Sequence, residues 1–262
     1  SRDQPMTTVT APRMITPATT QSRIWAVTKL TLTNPWTAII LPWIILGIIF
    51  LANVAIWLLI TRAAPIGAAR DEAIEGFNYG GASSFIFIYM LIVAIQTINL
   101  TFQYALGYGV TRRDFYLGSS LTFVLLSLMY AVGLTILAEI ERATNGWGLG
   151  GRMFAPVFFG DGIWFERLWI FFTAFLFFFF VGALTAAIYV RWRSNGVVAF
   201  SVGIAALLIA AGALLTFTGN WAAIPDFFAA VQFLGGYSLS LVISLIAAAC
   251  GYFVLRGATP TN

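Results

Sequence analysis

Gly107-Tyr-Gly-Val-Thr-Arg-Arg-Asp-Phe-Tyr-Leu-Gly-Ser-Ser120 separates two long apolar blocks and carries the only charge cluster for many residues on either side. Gly107 and Gly109 are suited to ending a helix. Thr111 suits the N-cap of the next one, and Asp114, three residues on, completes a variant of the capping box. Gly109 and Gly118 would then delimit about two turns of short helix, with Arg112 and Arg113 presenting two guanidinium groups to solvent. A capped basic turn between two apolar segments is what joins membrane helices on the positively biased side. On physical grounds it reads equally well as such a turn or as a docking surface for an acidic partner.

Composition supports the membrane reading. The chain has 262 residues, 60% hydrophobic and 9% charged, with a mean hydropathy of +0.89. Soluble domains run at about 25% charged, so this chain lacks the charge to coat a water-facing surface. Its apolar blocks reach the roughly 20 residues that a helix needs to cross a bilayer. The expected class is an all-α polytopic membrane protein.

Several chemistries fall away. The net charge of +4 suggests no nucleic-acid partner, because no basic cluster exceeds two residues. The single cysteine, Cys250, excludes an intrachain disulfide or a cysteine metal cluster. With no histidine, axial haem ligation by histidine, histidine metal sites and serine–histidine hydrolysis are closed to it. Lys29 is the only lysine and no Gly-Lys pair exists, so the phosphate-binding loop of nucleotide hydrolases is missing. No cofactor is expected on this chain, and any ATP and Mg belong to another.

Residues 1–21 are rich in Thr, Pro and Ala without hydrophobic period and read as a tail; no signal peptide is visible in them. Residues 22–33 mix Ile24, Trp25, Val27 and Leu30 with Arg23 and Lys29, as an N-terminal helix lying in the membrane interface would. Asn34-Pro35 then caps a first span over 36–60. Further spans are expected over 83–105, 119–138, 168–190, 196–216 and 232–255, making six transmembrane helices in one domain of residues 22–256, with a short tail at 257–262. Residues 139–167 form a long glycine-bearing connection, and 191–195 a tight basic turn.

Charge sets the orientation. With both termini on one side, that side holds nine basic groups against Asp3 and Asp114, a balance of +7. The other holds five against eight acids, a balance of −3. Basic residues mark the cytoplasmic face, so both termini and residues 107–120 are expected in the cytoplasm.

No Asp, Glu, Lys or Arg lies mid-span, which argues against coupling to protons or sodium and against a charged selectivity ring. The second span does carry Tyr89, Gln96, Asn99 and Gln103 at i, i+7, i+10 and i+14, within an arc of about 80°. Amides facing lipid are costly, so this face either packs the bundle or lines a wet path. Asn53 in the first span is the other polar candidate for that path. The phenylalanines of the fourth span occur all round the helix and suit packing or an aromatic wall.

Gly109-Val-Thr-Arg-Arg-Asp-Phe-Tyr-Leu-Gly118 closely resembles the loop after the second span in permease subunits of type-2 ATP-binding-cassette exporters, nearest to their actinobacterial branch. Ala187-Ile-Tyr-Val-Arg-Trp-Arg-Ser-Asn-Gly196 resembles that family's turn before the fifth span. Gly146-Trp-Gly-Leu-Gly-Gly151 resembles its outer loop. The resemblance covers residues 22–256 and implies an interfacial helix followed by six spans in a bacterial cell membrane. It also implies that Thr111, Arg112, Arg113, Asp114, Phe115 and Tyr116 form a coupling helix docking into a separate ATPase subunit. Two such ATPases, which bind ATP and Mg, would join this chain and a second permease, identical or homologous. The substrate path would lie at the permease interface. Residues 217–231 are shorter than the external hairpin of many relatives. A non-transporting scaffold or substrate-binding accessory subunit remains the alternative, and a membrane enzyme a more distant one.

Overall fold

The computed structural model describes residues 20–32, 35–63 and 67–257. The expected N-terminal tail up to residue 19, the Asn34 cap and residues 258–262 lie outside them. The described residues are helical, with no strand among them. Seven helices follow in order: α1 (Thr20–Leu32), α2 (Leu41–Ala63), α3 (Ala68–Gly76), α4 (Phe85–Gly107), α5 (Arg112–Ala143), α6 (Trp164–Thr218) and α7 (Ala223–Arg256). Among them, five stretches are long and apolar enough to cross a membrane: Trp36–Ala63, Arg70–Gly107, Arg112–Ala143, Trp164–Thr218 and Ala229–Arg256. By length and composition these helices are compatible with a multi-pass membrane protein.

The Trp164–Thr218 stretch, at 55 residues, would run about 80 Å if straight. It does not run straight. Arg193 leaves helical geometry at φ 59°, ψ −153°, and a β-carbon on Gly196 would come within 3.4 Å of the Ile188 carbonyl oxygen. Residues eight apart along one helix lie about 12 Å apart in rise, so the chain folds back sharply here. α6 is two arms, 164–192 and 194–218, meeting at the tight basic turn expected from the sequence. α7 is likewise interrupted at Gln232, with φ 58° and ψ 178°, leaving a short segment, 223–231, before the long arm 233–256.

The core lies between α4, α5, the first arm of α6 and the long arm of α7. Phe123 stacks on Phe179 at 5.1 Å, and Tyr130 and Phe87 meet Phe175 at 5.5 and 4.6 Å. Phe171, Phe175 and Phe179 are fully buried, so one stripe of the fourth predicted span packs the core. Small residues set the closest approaches, as expected of membrane helices. A β-carbon on Gly182 would fall 2.5 Å from the Leu91 carbonyl oxygen, and Ala183, Ala186 and Ala187 are buried along the same arm. Residues 197–211, by contrast, are largely exposed.

α1 packs on α5, and one expectation changes. Thr28 donates from Oγ1 to the Gly118 carbonyl at 3.1 Å, Tyr130 donates to the Ala38 carbonyl at 2.7 Å, and Trp43 stacks on Tyr130 at 5.4 Å. α1 and the segment around Ala38 to Trp43 therefore pack against α5. Gly118, expected to end a short helix, sits inside the unbroken 32-residue α5. Its function is space, because a β-carbon there would stand 2.6 Å from Val27 Cβ and 2.9 Å from the Ile24 carbonyl oxygen.

Replacing Gly118 with Leu is expected to push α1 off α5 and to destabilise the protein by about 2 kcal/mol through overpacking. Gly107, with open space around it, supplies the control. Thermal unfolding in detergent should fall for G118L and stay within error for G107A.

Candidate functional site

Three places gather polar or ligand-sized features. The first is the α4–α5 turn. α4 closes with Gly109 at φ +77°, its N–H bonding to the Leu106 carbonyl at 3.0 Å and that of Val110 to the Ala105 carbonyl at 3.1 Å. Both bonds together are the Schellman arrangement that a left-handed glycine permits. α5 begins at once, with Thr111 extended at φ −72°, ψ 153° and its hydroxyl accepting from the Asp114 N–H at 3.1 Å. The predicted N-cap is therefore present.

The six residues assigned to this turn divide into two groups. Asp114, Phe115 and Tyr116 are buried. Phe115 meets Phe102 edge-on at 5.3 Å, and Tyr116 donates to the Ala248 carbonyl at 2.7 Å. Gly251 makes room for that hydroxyl, since a β-carbon there would lie 2.8 Å from it. Arg112 is not free to project, because its Nη1 donates to the Arg256 carbonyl at 3.0 Å and ties α5 to the end of α7. Thr111 and Arg113 stand exposed. Arg191 joins the same end, its guanidinium lying beside Gly257 and 4.5 Å over the Trp192 ring. Basic side chains from three elements thus surround the turn.

The second place is the opposite end, where sequence reasoning saw only a long connection. Glu141 is 2% exposed. Its carboxylate accepts backbone N–H bonds from Met153 at 2.9 Å, Phe154 at 3.1 Å and Ala155 at 3.0 Å, and the indole N–H of Trp147 at 3.2 Å. Four donors on one buried carboxylate hold the connection down as a cap. The approach to it is a left-handed run through Asn145, Gly146, Trp147 and Gly148, which explains the glycine density there. Trp57 lies flat on Gly151, where a β-carbon would stand 2.5 Å from its ring. Beside this cap Arg167, 2% exposed, lies 3.6 Å from Glu139.

The third place is a cavity of about 1100 Å³ between residues 158–166, the first arm of α6 and the long arm of α7. Phe158, Phe159, Phe177, Phe178, Phe233 and Tyr237 supply its aromatic wall, with Asp161, Glu166, Gln232 and Ser240 as its polar groups. The fourth-span phenylalanines are therefore split between core and cavity. The sequence signal for this cavity was weak, because its walls come from segments 70 residues apart.

The polar face of the second predicted span lies elsewhere. Tyr89 donates to the Thr37 carbonyl at 3.0 Å, while Gln96 and Gln103 are exposed on the bundle surface. Asn99 is half-buried, and its Oδ1 has no partner among the described residues. Asn53 bonds within its own helix, to the Ile49 carbonyl at 2.9 Å. None of these five lines the cavity. Among the described residues no three His, Cys, Asp or Glu side chains gather as a metal site. No known protein family, curated protein or solved structure matches the chain.

Replacing Glu141 with Ala is expected to strand three buried N–H groups and to cost about 3 kcal/mol. Hydrogen exchange at the amides of Met153 to Ala155 should accelerate by at least about tenfold. E141Q, which keeps one carbonyl oxygen as acceptor, should fall between the two.

Proposed function

We propose that this chain is the membrane subunit of an ATP-driven exporter of the type-2 ATP-binding-cassette kind, crossing a bacterial plasma membrane six times with both termini in the cytoplasm. In this reading the two arms of α6 are separate crossings joined by a cytoplasmic turn at Arg193. The basic end of the bundle faces a partner ATPase, and ATP and Mg are bound there. Two ATPases and a second permease chain complete the transporter.

The observation that carries the reading is the α4–α5 turn. It is closed by a Schellman end, reopened by a Thr111 cap, and anchored to α7 through Arg112. A rigid turn of this kind transmits a push along α5, which runs 32 residues through the core. Arg113 offers an exposed guanidinium to carboxylates on a partner, with Arg191 and Arg256 nearby. The absence of a nucleotide loop and of mid-span Asp, Glu, Lys or Arg in the sequence leaves an external motor as the energy source. The exposed amides Gln96 and Gln103 on an otherwise apolar surface favour a second chain covering that face. Transport then proceeds by alternating access at the interface between the two permeases.

The anchored position of Arg112 makes Arg113 the cleaner probe. Arg113→Glu is expected to leave insertion and thermal stability unchanged while lowering substrate-stimulated ATPase activity of the reconstituted complex at least about tenfold. Unchanged stimulation with normal assembly would remove the coupling assignment and favour a non-transporting scaffold.

A further inference from the structure

The aromatic cavity between α6 and α7 differs from an ordinary lipid groove in its charge. Two carboxylates line it, Asp161 and Glu166, and no basic side chain does. Asp161 is already neutralised, since Arg152 Nη1 donates to its Oδ1 at 2.5 Å. Glu166 is not: among the described residues no ion pair or hydrogen bond joins its carboxylate. It is half-buried and folded back over Gly162, where a β-carbon would collide with it. Glu166 thus carries a carboxylate without a side-chain partner on the wall of an apolar chamber, in the first turn of α6.

The chamber itself has ligand dimensions. Small-molecule sites are typically about 300–1000 Å³, mostly apolar, with a few placed polar groups, and this cavity of about 1100 Å³ is at the upper end. Six aromatic residues line it, and aromatic ring faces attract cations that have shed water. Gln232, at φ 58° the point where α7 breaks, lies on the wall. Backbone held in that region costs about 1–3 kcal/mol and concentrates at ligand clamps. Tyr237 donates weakly to the Phe158 carbonyl at 3.4 Å, and Ser240 donates to the Tyr237 carbonyl at 2.6 Å, so these two hydroxyls are already engaged within the protein.

We propose that this cavity binds an amphipathic organic cation, with the apolar body among Phe158, Phe177, Phe178 and Phe233 and the positive head at Glu166. An anionic amphiphile of the same shape meets the same walls and the wrong charge. A lipid acyl chain fills the walls and leaves Glu166 without a partner. The inference does not depend on the transport reading, since binding is measured on this chain alone.

Tetraphenylphosphonium and tetraphenylborate make the test, being nearly equal in size and opposite in charge. Equilibrium dialysis against the full chain in nanodiscs, with empty nanodiscs subtracted, should show one saturable phosphonium site and at least about tenfold weaker borate binding. Glu166→Gln should erase that preference while leaving the melting temperature in place. Ala229→Trp, which narrows the cavity and retains Glu166, should weaken saturable phosphonium binding at least about tenfold. Non-saturable uptake of phosphonium, an unchanged cation-to-anion ratio in E166Q, or unchanged binding in A229W would each overturn the proposal.

Discussion

A single buried carboxylate, that of Glu141, takes up the N–H groups of three consecutive residues and one indole, and much of the molecule hangs from it. A membrane bundle of low charge has few ways to close its ends, because loop backbone next to lipid has no water to bond. Glu141 supplies acceptors at the point where the long connection leaves α5. With Met153 to Ala155 held, Phe159 is buried against Phe171 at 5.1 Å, and the connection is fixed where it forms one wall of the aromatic cavity. The last turn of α5, the connection held by Glu141 and one wall of the cavity therefore form one unit.

The other end is closed by different means. There the helices end on their own backbone geometry, with Gly109 closing α4 and Thr111 opening α5, and a guanidinium from Arg112 binds the last carbonyl of α7. A cation at a helix C-terminus is also favoured by the helix dipole. The chain so places an anion deep among donors at one end and cations over acceptors at the other. Between them the apolar middle needs only close packing, which Gly118, Gly182 and Gly251 permit by omitting side chains at the contacts.

Much of this was legible in the sequence because it is local. Apolar block length identified the long apolar helices, and capping chemistry identified Thr111. The basic turn near Arg193 was also visible, since it depends on neighbours within four residues. What stayed hidden depends on distant partners. Glu141 looked like one more acid at the end of a span, since its ligands lie 12 to 14 residues on in a segment without periodicity. Gly118 read as a helix end because its true contact, Val27, is some 90 residues earlier. The amphiphilic character of residues 22–33 marked a helix but not its partner, and Val27 and Thr28 are buried against α5. The cavity joins segments 70 residues apart, and the phenylalanine pattern alone did not separate core rings from cavity rings.

The central functional claim is that this chain works with a separate motor at its basic end. The direct measurement is the native mass of the complex recovered through this chain from its own membrane in mild detergent. The account predicts two permease chains, this one at 28.6 kDa and an identical or homologous second, with two copies of an ATPase that dissociate when Arg113 is reversed in charge. A chain that elutes without any nucleotide-binding partner, in an assembly unaffected by that reversal, would contradict it.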